Sequence, residues 1–126
     1  MRGAIIAGCI FAVMIIGMVF SQMALEKTCK EISDMAEEIY ESVAELKWDD
    51  AQNFTDELKN KWNENSKWIS MLIDHGETDQ IMTTIASLGE FVKNAETPEL
   101  MSEIKTLIIL IDHIPAKERP ELSNIF

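Results

Sequence analysis

Helix breakers are scarce in this 126-residue chain, which holds five glycines and three prolines. No proline lies between Phe20 and Lys47, and the last glycine before that stretch is Gly17, so nothing there interrupts a helix. Cysteine numbers two, too few for a disulfide scaffold. Basic side chains number 11 against 22 acidic ones, and the net charge of −11 excludes the basic face that nucleic acid demands. The same excess argues against a domain held on anionic lipid by charge. Absent too are a glycine-rich phosphate loop, a cysteine-pair metal motif, His-Glu-x-x-His, and the Glu-x-x-His of diiron bundles. No serine or histidine stands in a context that would activate a nucleophile. The expectation is a protein that is not an enzyme and carries no cofactor.

Charge is also missing from one long stretch. From Gly3 to Leu25 there is no charged side chain, and nine Ile, Val and Phe residues crowd its middle. A helix needs about 20 apolar residues to cross about 30 Å of hydrocarbon. Arg2 and the amino terminus precede the run, and Glu26, Glu31, Asp34, Glu37 and Glu38 follow it. The positive-inside rule then leaves the amino terminus in the cytoplasm and everything after Leu25 outside, in a single-pass cell-membrane topology. The apolar core exceeds the 7–15 residues of a cleaved signal, and the small residues near its end are poorly placed for cutting. The run therefore reads as a retained anchor. Ile6-Ala7-Gly8-Cys9 imitates a bacterial lipid-attachment tetrapeptide but comes too early in the run.

The expected organisation is a membrane helix over 1–25, a helical domain over 26–114 and a tail over 115–126. Four stretches space their apolar residues by fours and threes, the mark of amphipathic helices with a narrow seam. The first is Leu25, Cys29, Ile32, Ala36, Ile39, Val43 and Leu46; the second is Ala51, Phe54, Leu58, Trp62, Asn65, Ile69 and Leu72, with a polar break at Asn65. The third is Ile81, Ile85, Leu88, Val92 and Ala95; the fourth is Leu100, Ile104, Leu107, Ile111 and Ile114. No alternating strand pattern competes. Asp49 with Gln52 predicts a capping box for the second helix, and His75-Gly76 predicts its end. Thr97-Pro98-Glu99 predicts the start of the fourth helix, and Pro115 its stop. Short connections imply an all-α, antiparallel four-helix bundle, its first helix growing straight out of the membrane as a stalk.

Several residues are candidates for a role. Asp74-His75 and Asp112-His113 sit in related strings and could gather a metal, or each histidine could close a last helical turn. Glu31, Asp34, Glu38, Glu41 and Glu45 make an acid stripe that could hold divalent cations, dock a basic partner, or simply face solvent. Trp62 and Trp68 are about 240° apart around a helix, so one of them is expected at an edge, where an aromatic could anchor a partner. Met35, Met71, Met82 and Met101 read as core filler. Cys29 lies on the stalk seam, either as a buried thiol or as a bridge between two parallel stalks. Asn53-Phe54-Thr55 matches a glycosylation sequon, which matters only in a eukaryote. The closing Ile125-Phe126 either folds back on the bundle or serves as a docking peptide.

Particular residues carry a resemblance across nearly the whole chain. They are Trp48-x-x-Ala51, Lys61-Trp62 with Lys67-Trp68, Ile73-Asp74-His75, then His113-Ile114-Pro115-x-Lys117-Glu118-Arg119 and the final Asn124-Ile125-Phe126. In these the chain resembles a family of small single-pass membrane proteins from spore-forming Gram-positive bacteria, catalogued as domain of unknown function 4363. The resemblance implies a bacterial cell membrane, a domain on its outer face, and gene neighbours encoding multi-pass membrane proteins. It assigns no catalytic residue. Gly76 departs from the charged residue common in relatives, which would loosen the turn there. The resulting expectation is an accessory or interaction subunit of another integral membrane protein. A cation- or ligand-sensing bundle is the alternative, and a homo-oligomeric envelope protein a further one.

Overall fold

The computed structural model describes the backbone of residues 1–118 and the side chains of residues 1–114. Four helices account for it: α1 (Arg2–Ala44), α2 (Trp48–Leu72), α3 (His75–Lys93) and α4 (Thr97–Glu118). At 1.5 Å per residue the 43 residues of α1 extend about 65 Å, against about 38 Å for the 25 residues of α2, the next longest. Each helix packs on two neighbours in the ring order α1, α2, α3, α4, and among the described residues no Cα atoms of diagonal pairs come within 8 Å. With connections of two or three residues, this is an antiparallel four-helix bundle.

The core is the expected set of seams, closed against each other. Leu25, Cys29, Ile32, Ala36, Ile39 and Val43 face it from α1, and Leu100, Ile104, Leu107, Ile111 and Ile114 from α4. Trp62 is the largest side chain fully buried there. On α2 the seam passes through Thr55 and ends at Ile73, where Phe54 and Leu72 were expected; Leu72 is exposed. Thr55 can occupy the core because its hydroxyl donates to the Ala51 carbonyl one turn back, at 2.7 Å. Thr78 and Thr84 are buried in α3 by the same device, donating to the His75 and Gln80 carbonyls. A threonine satisfied within its own helix presents a methyl group to the core.

The helix ends differ from expectation in four ways. Leu46 and Ala95, expected in the seams, are exposed and hold the left-handed conformation, with φ of 60° and 54°. Lys47 N–H donates to Ser42 and Leu46 N–H to Val43; Glu96 N–H donates to Phe91 and Ala95 N–H to Val92. Those two patterns are Schellman motifs built without glycine. Glycine at position 46 should therefore relieve backbone strain. Leu46→Gly is expected to stabilise the bundle by about 0.5–1 kcal/mol, read as a higher urea midpoint at unchanged slope.

The second difference is at α2, which starts on Trp48 with Lys47 as its cap residue and no side-chain cap bond. Asp49 and Asp50 lie in its first turn, facing the positive end of the helix dipole, and Gln52 bonds to Asp56 instead. Third, His75-Gly76 does not end α2. The break falls at extended, buried Ile73, and Asp74 caps α3 by accepting from the Gly76 N–H. Asp74 followed by Glu77 is the start signal that governs this corner. A Cβ on Gly76 would meet only Asp74 at ordinary contact distance, 3.5 Å, so the corner does not depend on glycine. Fourth, the backbone of α4 continues through Pro115 to Glu118. The fixed φ of proline is itself helical, and its cost inside a helix is one missing N–H and crowding against the carbonyl of the preceding turn. The tail residues 119–126, with Phe126, lie outside the described residues.

Candidate functional site

The most prominent feature is the uncovered half of α1. Every residue from Met1 to Phe20 is exposed, including Ile5, Ile6, Ile10, Phe11, Val13, Ile15, Ile16, Val19 and Phe20. An 18-residue window there has mean hydropathy 2.6 with none of it buried, so α1 is long and apolar enough to cross a membrane. Leu25, the last residue of the uncharged run, is already in the bundle core at 1% exposure. The apolar run and the core seam thus belong to one unbroken helix.

The histidines do not form a site. His75, Asp74, Asp112 and His113 are all exposed, and among the described residues no three His, Cys, Asp or Glu side chains come together as a metal-binding group. Neither histidine closes a helix: His75 opens α3, and His113 lies more than a turn before the end of α4. The acid stripe is partly paired along its length. Glu31 meets Lys61 of α2 at 2.7 Å, and that hydrogen bond holds the Glu31 carboxyl below its ordinary range and raises the Lys61 ammonium. Both groups are about a third or more exposed, so solvent screens the pair and it adds little to stability. Glu45 meets Lys47 at 2.9 Å in the turn after α1. Asp34, Glu38 and Glu41 face outward.

Of the two tryptophans, Trp68 is the one at the edge. It is half-buried, and its indole N–H donates to Asn65 at 2.9 Å, while Asn65 donates to the Lys61 carbonyl. Trp62 is 1% exposed, and its indole N–H has no partner among the described residues. Met35 and Met101 pack against the core, but Met71 and Met82, expected as filler, are exposed at 76% and 52%.

Cys29 turns inward, 2% exposed, and is a free thiol facing its own bundle. A bridge between two stalks through Cys29 would require that bundle to open. Burial, with a smaller effect from Asp112, pushes the thiol from its ordinary 9.0 to about 12. Below pH 9 both folded and unfolded chains keep this proton, and its effect on stability is nil. Above pH 9 the unfolded chain releases it while the folded chain holds it, so stability falls as pH rises toward 12. The expected slope approaches about 1.4 kcal/mol per pH unit. Urea midpoints from pH 8 to 10.5 should show this loss, and Cys29→Ala should lack it.

Comparison with known proteins agrees with this architecture only at the level of the family. The model of a family described as a domain of unknown function, DUF4363, matches residues 19–125, which takes in the whole bundle and leaves most of the apolar run outside. No curated protein and no solved structure gives a significant match. The chain belongs to the DUF4363 family.

Proposed function

We propose that this protein is a membrane-anchored accessory subunit, a bundle held on the extracytoplasmic face and partnered with another integral membrane protein. The observation that carries the reading is the continuity of α1, whose exposed apolar half and buried seam are one 43-residue helix. A partner that grips the span thereby sets the position and tilt of the bundle, because no flexible joint intervenes. The single basic residue before the run and the acids after it orient the bundle outward. The acidic surface keeps that domain soluble above the membrane.

The test compares two altered chains, the first expressed in the native membrane and the second purified and added to that membrane. One replaces residues 3–20 with an unrelated leucine-rich span; the other removes residues 1–21. Both are expected to lose the partner, the first while remaining in the membrane. Retention of the partner by the truncated chain would move recognition to the bundle surface and overturn the role assigned to the span.

A further inference from the structure

We infer that the corner between α2 and α3 rests on the outer lipid surface through Met71 and Leu72, so that the bundle touches the bilayer at two places instead of standing clear on its stalk. The inference rests on the reading of α1 as a membrane-spanning helix. The Lys61–Glu31 contact fixes the antiparallel register of α2 on α1. Both helices rise 1.5 Å per residue, so Leu72, eleven residues past Lys61, lies level with Phe20, eleven residues before Glu31. Leu72 accordingly shares an apolar groove with Met18, Val19, Gln22 and Leu25.

That level lies inside the uncharged run. From Gly3 to Leu25 the helix is about 35 Å long, about 5 Å more than the hydrocarbon layer, which puts Phe20 near the outer edge of the acyl region. At the same depth the corner offers water two large apolar side chains, Met71 at 76% and Leu72 at 38% exposure. One turn above Leu72, half-buried Trp68 occupies the level where tryptophans favour the membrane–water boundary. Exposed Asp74 and His75, which follow on the turn, belong among the headgroups, so the corner dips only a few ångströms. Acids at 74, 77 and 79 rule out attraction to anionic lipid as the cause. The contact is apolar.

Spin labels on the full-length protein in phosphatidylcholine vesicles test this. In a Cys9→Ser background, single cysteines are placed by Met71→Cys, Val13→Cys and Ala44→Cys; buried Cys29 should take no label, which the background protein alone verifies. The expected result is that a label at 71 relaxes with membrane-dissolved oxygen more than with an aqueous nickel chelate, as at 13, while position 44 shows the reverse. The pattern at 71 should be unchanged when phosphatidylglycerol is added. A label at 71 that behaves like 44, with 13 still in lipid, would overturn the inference and leave the anchor standing. Lipid contact that appears only with anionic lipid would also overturn it. Nickel access at position 13 would remove the anchor, and the inference with it.

Discussion

Replacing Trp62 with alanine should cost the bundle about 3–5 kcal/mol, enough to unfold much of it at ambient temperature. Trp62 is the largest fully buried side chain and stands midway along α2, so its loss opens a cavity between all its neighbours at once. The change removes transfer free energy and leaves a void that rigid helices cannot refill. Trp62→Phe separates volume from polarity. It keeps an aromatic ring and deletes an indole N–H that has no partner among the described residues, and removing such a group offsets part of the packing loss. Urea unfolding followed by far-ultraviolet circular dichroism should rank the three chains as wild type, then Phe, then a much weaker Ala. Equal midpoints for wild type and Trp62→Ala would mean that Trp62 does not fill the core.

Removing residues 1–21 should move the protein from the membrane fraction to the soluble fraction with its bundle intact. The deleted segment contains no buried residue; the first one in the chain is Leu25. What is lost is nine Ile, Val and Phe side chains, which together favour insertion by about 3–5 kcal/mol at the helix centre. Extraction of membranes at alkaline pH should leave the full chain in the pellet and the shortened chain in the supernatant. The shortened chain should retain a cooperative transition and the bundle's unfolding free energy to within about 0.5 kcal/mol. A shortened chain that is unfolded would show that the exposed half of α1 takes part in the fold.

The sequence made the helices legible because their seams are strict. Leu100, Ile104, Leu107, Ile111 and Ile114 were read without error, and five of the six buried apolar positions of α1 follow Leu25 at the same spacing. The ends were less legible, for a definite reason. Leu46 and Ala95 occupy left-handed positions where glycine is the usual signal, so their apolar character read as two more seam residues. At the α2–α3 corner a glycine was present, but it drew the helix end past Asp74, whose cap to Gly76 decides the boundary. Thr55, Thr78 and Thr84 looked polar because their hydroxyl partners are backbone carbonyls of their own helices, which composition does not reveal.

Candidate sites were less legible than the fold, since spacing along one helix says nothing about the level of another. His75 and His113 echo each other in sequence without joining a metal group, and Glu31 is committed to Lys61 across a helix boundary. That one of Trp62 and Trp68 lies at an edge followed from angular separation, because two residues six apart cannot share one narrow face; that it is Trp68 came only with the packing. Met71 read as core filler from composition; only the register of α2 against α1 places it outside, beside the end of the apolar run.

The most direct test of the central claim is affinity purification of the tagged full-length protein from its native membrane in mild detergent, with quantitative mass spectrometry of what accompanies it. The account predicts one integral membrane protein in stoichiometric amount, lost when residues 3–20 are exchanged for an unrelated span. A protein that emerges alone, or only with further copies of itself, would contradict it.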